Sequence, residues 1–257
     1  MNRVWITGAS SGIGEALAVG WAATGAEVIL SGRRRAALLA VAARCPGSRI
    51  LPFEVTDLDA LPDLVAEAGD VDILVNNAGI SQRSLAVNTG FDVYRRIMEV
   101  DFFAPLRLTQ LVLPQMVARG SGHIIAISSV AGKAGSPLRT GYCAAKHALI
   151  GYSDALRAEV AMHGVKVTVV TPGFVRTEIA AHALKGDGSE NGTDVADPVD
   201  QGISTEEAAR QIFAGIEAGH REIPVGKTGA PEMMLLDLKR QNPDTVFDLM
   251  ANMAKNL

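Results

Sequence analysis

Cysteine is nearly absent from this sequence: Cys45 and Cys143 are the only two in 257 residues. Cys45 precedes a proline in a loop-like stretch and Cys143 sits inside a helical pattern, so no bridge between them is expected. The scarcity excludes a disulfide-stapled scaffold and fits a reducing compartment, which predicts a cytoplasmic protein. Neither sign of charge dominates. A formal net charge of −4 gives no basis for nucleic acid or an anionic membrane as a partner. Long apolar runs are missing as well. A bilayer-spanning helix needs about 20 apolar residues, and the most apolar early stretch, 15–31, is interrupted by Glu15, Gly20, Gly25 and Glu27. A strand pattern is already under way at Arg3, so neither a signal peptide nor a membrane anchor is expected. The five histidines show no metal-ligand spacing, neither cysteine belongs to a metal motif, and no metal site is expected.

What the sequence does contain is the composition of an ordinary globular chain, 48% hydrophobic and 20% charged. Short runs rich in Val and Ile occur at 3–7, 26–31, 49–54, 71–76, 122–128, 165–171 and 221–225. Several place apolar residues on consecutive positions, as strands do when helices cover both faces of a parallel sheet. Helical patterns lie between them, near 12–24, 34–44, 58–68, 92–118, 140–163 and 205–218. The alternation predicts an α/β fold: a doubly wound parallel sheet of about seven strands with helices on both faces. With no internal repeat or linker, residues 1–257 are expected to form a single domain.

Residues 180–204 break the rhythm, with four glycines, many polar residues and little periodicity. A stretch of this kind after the sixth strand falls at the carboxyl edge of the sheet, where α/β proteins bind ligands. It is expected to act as a substrate lid, the alternative being a mobile surface loop. The C-terminal segment 231–257 carries Met233, Met234, Leu235, Leu236 and Leu238, then Val246, Phe247, Leu249, Met250 and Met253. This pattern predicts two short amphipathic helices split by Pro243. They could close a pocket, extend an oligomer interface or attach peripherally to lipid, and the sequence leaves the three open.

The first strand runs directly into TGASSGIG at 7–14, followed by a helix. Glycines there allow a tight turn and let the backbone approach a pyrophosphate, while the helix presents free N–H groups and the positive end of its dipole. The spacing of Gly8, Gly12 and Gly14 resembles the form used by the short-chain dehydrogenase/reductase family. NNAG at 76–79, ISS at 127–129, YCAAK at 142–146 and PGFVRT at 172–177 stand in that family's order and spacing, so the resemblance covers nearly the whole chain. It implies a Rossmann-type fold, a nicotinamide dinucleotide and oxidoreductase chemistry.

The end of the second strand reads SGRRR at 31–35, without the acid that would bond the ribose 2′-hydroxyl of NAD and repel a 2′-phosphate. Arg33 is expected to meet the 2′-phosphate of NADP(H), assisted by Arg34 or Ser11. The resemblance implies further contacts. Ser10 and Ile13 belong to the glycine loop, Asp57 meets the adenine, and Asn77, Ala78 and Gly79 line the adenosine ribose. Val175 and Thr177 hold the nicotinamide carboxamide after Pro172 and Gly173.

Tyr142 and Lys146 stand four apart in a helical pattern and share one face. A tyrosine ordinarily titrates near about 10, and a neighbouring ammonium favours its phenolate. The family assigns Tyr142 the proton transfer, Lys146 the nicotinamide ribose and the tuning of the phenol, and Ser129 a bond to the substrate oxygen. One position departs from the pattern. Where the family commonly has an asparagine that links the lysine through water to solvent, this chain has Asp101, in EVDFFAP. Its carboxylate cannot donate a hydrogen bond when ionised. A charged Asp101 beside Lys146 would hold the lysine protonated and blunt its release of a proton.

His182 falls in the expected lid and is a candidate for substrate contact, whereas His123, His147, His163 and His220 read as structural or exposed. Ala144, Ala145, Ala148 and Gly151 permit close approach to the 142–163 helix, and the resemblance implies a homodimer or homotetramer through it. The leading reading is an NADPH-dependent enzyme interconverting a carbonyl compound and an alcohol, and the methionine-rich C-terminus favours a bulky hydrophobic substrate. Two readings stay open beside it. One is a non-catalytic NADP(H) sensor that kept the fold, which only Asp101 favours. The other is a nucleotide-sugar epimerase or dehydratase, relatives of which carry a longer C-terminal substrate domain.

Overall fold

The computed structural model describes residues 2–193 and 197–255. Seven strands form one parallel sheet: β1 (Arg3–Thr7), β2 (Glu27–Ser31), β3 (Arg49–Ile50), β4 (Ile73–Asn76), β5 (Gly122–Ile127), β6 (Val165–Pro172) and β7 (Glu222–Val225). Their spatial order is β3-β2-β1-β4-β5-β6-β7. The winding reverses between β1 and β4, which opens a crevice at the carboxyl ends of those strands.

The unbroken apolar runs have a simple origin. Val4 and Ile6 of β1 face one core while Trp5 between them faces the other, and Leu30 and Ile29 of β2 divide in the same way. One core is closed by α1 (Gly12–Ala23), α2 (Arg35–Ala42) and α7 (Thr205–Glu217), through residues such as Leu17, Leu38 and Ile212. The other is closed by α3 (Leu61–Ala68), α5 (Ala104–Arg119) and α6 (Thr140–Val160), through Leu61, Val112 and Leu156. Burial on both faces removes the alternation that a half-exposed strand would show.

Two element boundaries differ from expectation. The expected strand 49–54 keeps strand geometry only at Arg49–Ile50, although Leu51 and Phe53 still donate to the carbonyls of Leu30 and Gly32. Pro52 between them has no N–H for the ladder. The expected helix 92–118 is two helices, α4 (Phe91–Met98) and α5, joined by one widened π-helical turn at Glu99–Phe103. Pro105 lacks the N–H that would bond the Asp101 carbonyl in a regular helix, so the backbone widens there.

The stretch 180–204 is not structureless where it is described; residues 194–196 lie outside the described residues. Leu184 is buried and pairs with Gln82 on one side and Glu190 on the other. A short 3-10 turn at Pro198–Gln201 is capped by Asp197. The C-terminal helices form as expected, α8 (Pro231–Gln241) and α9 (Pro243–Ala254), with Pro243 starting the second. Among the described residues no helix is long and apolar enough to cross a membrane, and no cluster of three His, Cys, Asp or Glu is placed to hold a metal. Cys45 and Cys143 are both free and buried.

Candidate active site

A cavity of about 890 Å³ runs along the carboxyl edge of the sheet. One end is the loop between β1 and α1, where Gly8, Ser10, Ser11, Gly12 and Ile13 line the wall. Gly8 and Gly12 both adopt positive φ, 65° and 63°. A Cβ on Gly8 would sit 2.8 Å from the Ala78 Cα, which no side chain could tolerate. Gly14 does not line the cavity. It lies where a Cβ would meet the Gly8 carbonyl oxygen at 2.4 Å, so its place is in the packing of helix against loop. Ser11 stands at the N-cap of α1, but its side chain makes no capping hydrogen bond to the first turn. Uncapped donors at a helix start beside a glycine cradle fit a pyrophosphate.

Asn77 joins the two strands that flank the crevice. Its Nδ2 donates to the carbonyls of Thr7 and Gly8 at 3.0 and 3.1 Å, and Thr7 Oγ1 accepts from the backbone N–H of Asn77 and Ala78. Asn77, Ala78 and Gly79 line the cavity, as do Pro172, Gly173, Val175 and Thr177 opposite. Asp57 does not. Its carboxylate accepts from the Ala60 N–H and closes the turn before α3, while Glu54, Val55 and Thr56 line the wall instead. The expected acid is Asp57; the acid that faces the cleft is Glu54, three residues earlier.

Arg33 and Arg34 diverge. Arg34 Nη2 donates to Ser11 Oγ at 3.0 Å, and its Nη1 lies 3.5 Å from Glu178. Arg33 lies 3.7 Å from Glu54. Both pairs are long and solvent-exposed, and such pairs contribute little. Neither ion pair holds its guanidinium strongly, and both arginines line this end of the cavity.

The reacting end is built by β5 and α6. Ser129 leaves β5 in extended conformation, its Oγ accepting from Ala131 N at 3.1 Å. Tyr142 and Lys146 share one face of α6, with the Lys146 Nζ 5.6 Å from the phenol ring centroid. Ser129 Oγ also donates to the Pro172 carbonyl at 3.4 Å. Lys146 Nζ donates to the Ile127 carbonyl at 3.2 Å and stands 3.1 Å from Asp101 Oδ2. Asp101, fully buried, takes the Ile80 N–H on its other oxygen at 2.8 Å. The widened turn thus places a carboxylate behind the lysine. Gly79 makes room for both, since a Cβ there would lie 3.1 Å from Asp101 Oδ2 and 3.2 Å from Lys146 Nζ.

The electrostatics correct one expectation. Tyr142 was expected to be kept acidic by Lys146, yet its pKa lies above the ordinary tyrosine value. Burial raises it most, Asp101 adds to the rise, and Lys146, Ser129 and Arg139 only partly oppose them. Burial alone would lower the Lys146 pKa, but the charges of Asp101 and Tyr142 outweigh it and the ammonium is held above its usual range. Burial also raises Asp101, against the pull of Lys146.

Sequence reasoning missed the residues that pin the lid stretch. Asp197, its side chain 1% exposed, is held by Arg83 at 2.6 Å and by Arg139 at 2.8 Å. Arg139 itself lines the cavity beside Tyr142. His182 lines it too and bonds Glu190 at 2.8 Å. Leu235 and Leu238 of α8 and Leu249, Met250 and Met253 of α9 complete the lining as an apolar roof.

A glycine cradle at the switch point of a doubly wound sheet, continuous with a Ser–Tyr–Lys cluster whose tyrosine and lysine are buried, defines a Rossmann-type dinucleotide oxidoreductase. The family model for short chain dehydrogenases matches residues 2–187. Dehydrogenase/reductase SDR family member 7B of Bos taurus is 37% identical over 266 residues, covering 98% of this chain and 81% of that protein. A short-chain dehydrogenase from Streptomyces avermitilis superposes with a TM-score of 0.81 at 29% identity, covering 99% of this chain and 98% of the other. One from Sphingobium yanoikuyae, in complex with NADPH, gives a TM-score of 0.78 at 28% identity over 95% of this chain and 96% of the other. The chain belongs to the short-chain dehydrogenase/reductase family.

Proposed function

We propose that this chain is an NADP(H)-dependent enzyme that interconverts a hydrophobic carbonyl compound and its alcohol. The observation that carries the reading is the single cavity joining the glycine loop to Ser129, Tyr142 and Lys146. The cofactor, when bound, supplies or accepts the hydride. The chain's own groups manage the oxygen and the proton. Tyr142, its pKa raised, is protonated at neutral pH and donates to the developing alkoxide. Ser129 Oγ bonds that oxygen, and Lys146 lends positive charge beside the phenol. Asp101 keeps Lys146 charged and anchored, in place of the asparagine of the family pattern. A phenol held protonated favours carbonyl reduction at neutral pH.

Support for NADP(H) over NAD(H) comes from Arg33 and Arg34 at the loop end of the cavity and from the NADPH complex of the Sphingobium relative. The apolar roof of α8 and α9 supports a hydrophobic substrate, and the anchored stretch 180–204 serves as its lid. On this reading residues 1–257 act as a single unit. Exposed Ala144 and Gly151 on α6 leave that helix open for close approach by a second copy, which supports a homodimer or homotetramer. The two free cysteines remain in keeping with a cytoplasmic setting.

Tyr142→Phe tests the chemistry: NADPH oxidation at 340 nm with a hydrophobic ketone and aldehyde panel should vanish, with NADPH affinity intact. Turnover retained in that variant would remove the tyrosine from the mechanism. Thermal shift tests the cofactor, NADPH stabilising more than NADH. Hydrogen bonds to charged groups are worth about 1.5–3 kcal/mol, so Arg33→Ala with Arg34→Ala should weaken NADPH about ten- to a hundredfold and leave NADH unchanged.

A further inference from the structure

Gln82 follows the NNAG motif by three residues and is completely buried, although nothing in the mechanism above uses it. Its Oε1 accepts from the backbone N–H of Gly141 at 2.7 Å, one residue before Tyr142. The residue at the N-cap of α6, Arg139, supplies no side-chain cap of its own. Gln82 therefore satisfies a first-turn donor of the tyrosine-bearing helix from a different part of the chain. The approach depends on glycine at 141, where a Cβ would lie 2.9 Å from the same Gln82 oxygen.

The other end of the amide faces oxygens only. Nε2 lies 3.1 Å from Thr89 Oγ1, 3.2 Å from Ser84 Oγ, 3.3 Å from the Ser84 carbonyl and 3.4 Å from Thr140 Oγ1. Reversing the amide would set a donor against the Gly141 N–H and leave both unsatisfied, so the network fixes its orientation. Thr140 is held in turn by Tyr94 Oη at 3.0 Å. The backbone around Gln82 is clipped to the lid stretch: Leu184 N donates to the Ser81 carbonyl and Arg83 N to the Leu184 carbonyl, both at 2.8 Å.

We propose that Gln82 is a positioning residue for Tyr142: a remote cap that sets the first turn of α6, and with it the placing of the phenol against Ser129, while tying that turn to segment 180–204. The proposal rests on the reading of Tyr142 as proton donor. Misplacement of a reacting group by about 1 Å can cost up to about a hundredfold in rate, so the effect falls on kcat.

The test uses the full chain with NADPH and whichever hydrophobic ketone or aldehyde the wild type reduces fastest. Gln82→Asn is one methylene too short to reach Gly141 and should lower kcat about tenfold or more, with NADPH Kd and substrate KM within about twofold. Gln82→Glu, held protonated by burial, keeps an oxygen at Gly141 and a donor toward the Ser84 carbonyl, and should recover most of kcat. Wild-type kcat in Gln82→Asn, equal losses in both variants, or a loss confined to KM would overturn the proposal. Should Gln82→Asn not fold, Thr140→Val removes one partner of the amide at the same turn and should lower kcat about threefold with the same split; unchanged kcat overturns the proposal. Tyr142→Phe in parallel separates the two levels. Retained turnover there defeats the tyrosine mechanism, whereas lost turnover alongside a wild-type-like Gln82→Asn defeats the positioning role alone.

Discussion

At the scale of single residues, the site is governed by three titratable groups that share one buried space. Asp101 raises the pKa of both Lys146 and Tyr142. Carbonyl reduction needs both groups protonated, so its rate falls as pH rises through whichever loses its proton first. In Asp101→Asn each releases its proton more readily, and the alkaline limb of the reduction profile should move to lower pH. Neutral-pH alcohol oxidation, which needs the phenolate, should rise several-fold. Superimposable pH–rate profiles for wild type and variant would deny Asp101 any tuning role. The same residue explains why an acid is tolerated here at all. An unpaired buried ammonium is costly, and Asp101 at 3.1 Å supplies the counter-charge that an asparagine does not.

Elements decide which of those residues meet. The widened turn at Glu99–Phe103 brings Asp101 behind Lys146, and a helix start without a side-chain cap of its own leaves α6 reliant on a bond from outside it. The lid stretch is fastened in a comparable way. Asp197 is its buried anchor, bonded to Arg83, to Arg139 and to the Val199 N–H. Removing a buried, fully bonded acceptor costs about 1–3 kcal/mol. Because Arg83 and Arg139 keep access to water, the loss in Asp197→Ala should stay local. Limited proteolysis between residues 180 and 204 should accelerate and substrate KM rise several-fold, with dinucleotide affinity unchanged. Cleavage rates and KM matching the wild type would mean that the clamp holds nothing that matters to the site.

For the molecule as a whole, stability rests on two cores divided by the sheet, and one residue near the sheet gives that stability a pH dependence. His123 of β5 is half-buried, its Nε2 2.8 Å from Thr168 Oγ1, and partial burial, helped by Lys166, lowers its pKa from 6.5 to about 4. Between those values the unfolded chain binds a proton that the folded chain refuses. Stability is therefore lost as pH falls from about 6.5 to about 4, by about 3 kcal/mol over the window. In His123→Gln the fall across that window should flatten, as read by chemical denaturation at several pH values. Equal slopes in the two proteins would show that His123 is not the group responsible.

The sequence by itself determined the layers, the strand order class and the family. Those are set by short-range facts: consecutive apolar positions that demand cover on two faces, a glycine loop between β1 and α1, and motifs whose order follows the chain. Ser129, Tyr142 and Lys146 line one cavity, because strand end and helix face fix where such side chains point. What the sequence could not supply were contacts between segments far apart in the chain. Asp57 and Glu54 are equivalent as text, but the path of the chain past Pro52 turns one into a turn cap and the other toward the cavity. The acidity of Tyr142 looked settled by a lysine four residues on, whereas burial, which belongs to no single residue, has the larger effect. Gln82 and Asp197 carry no motif at all; their bonds to Gly141 and Arg139 span 59 and 58 residues, and only folding brings those groups together.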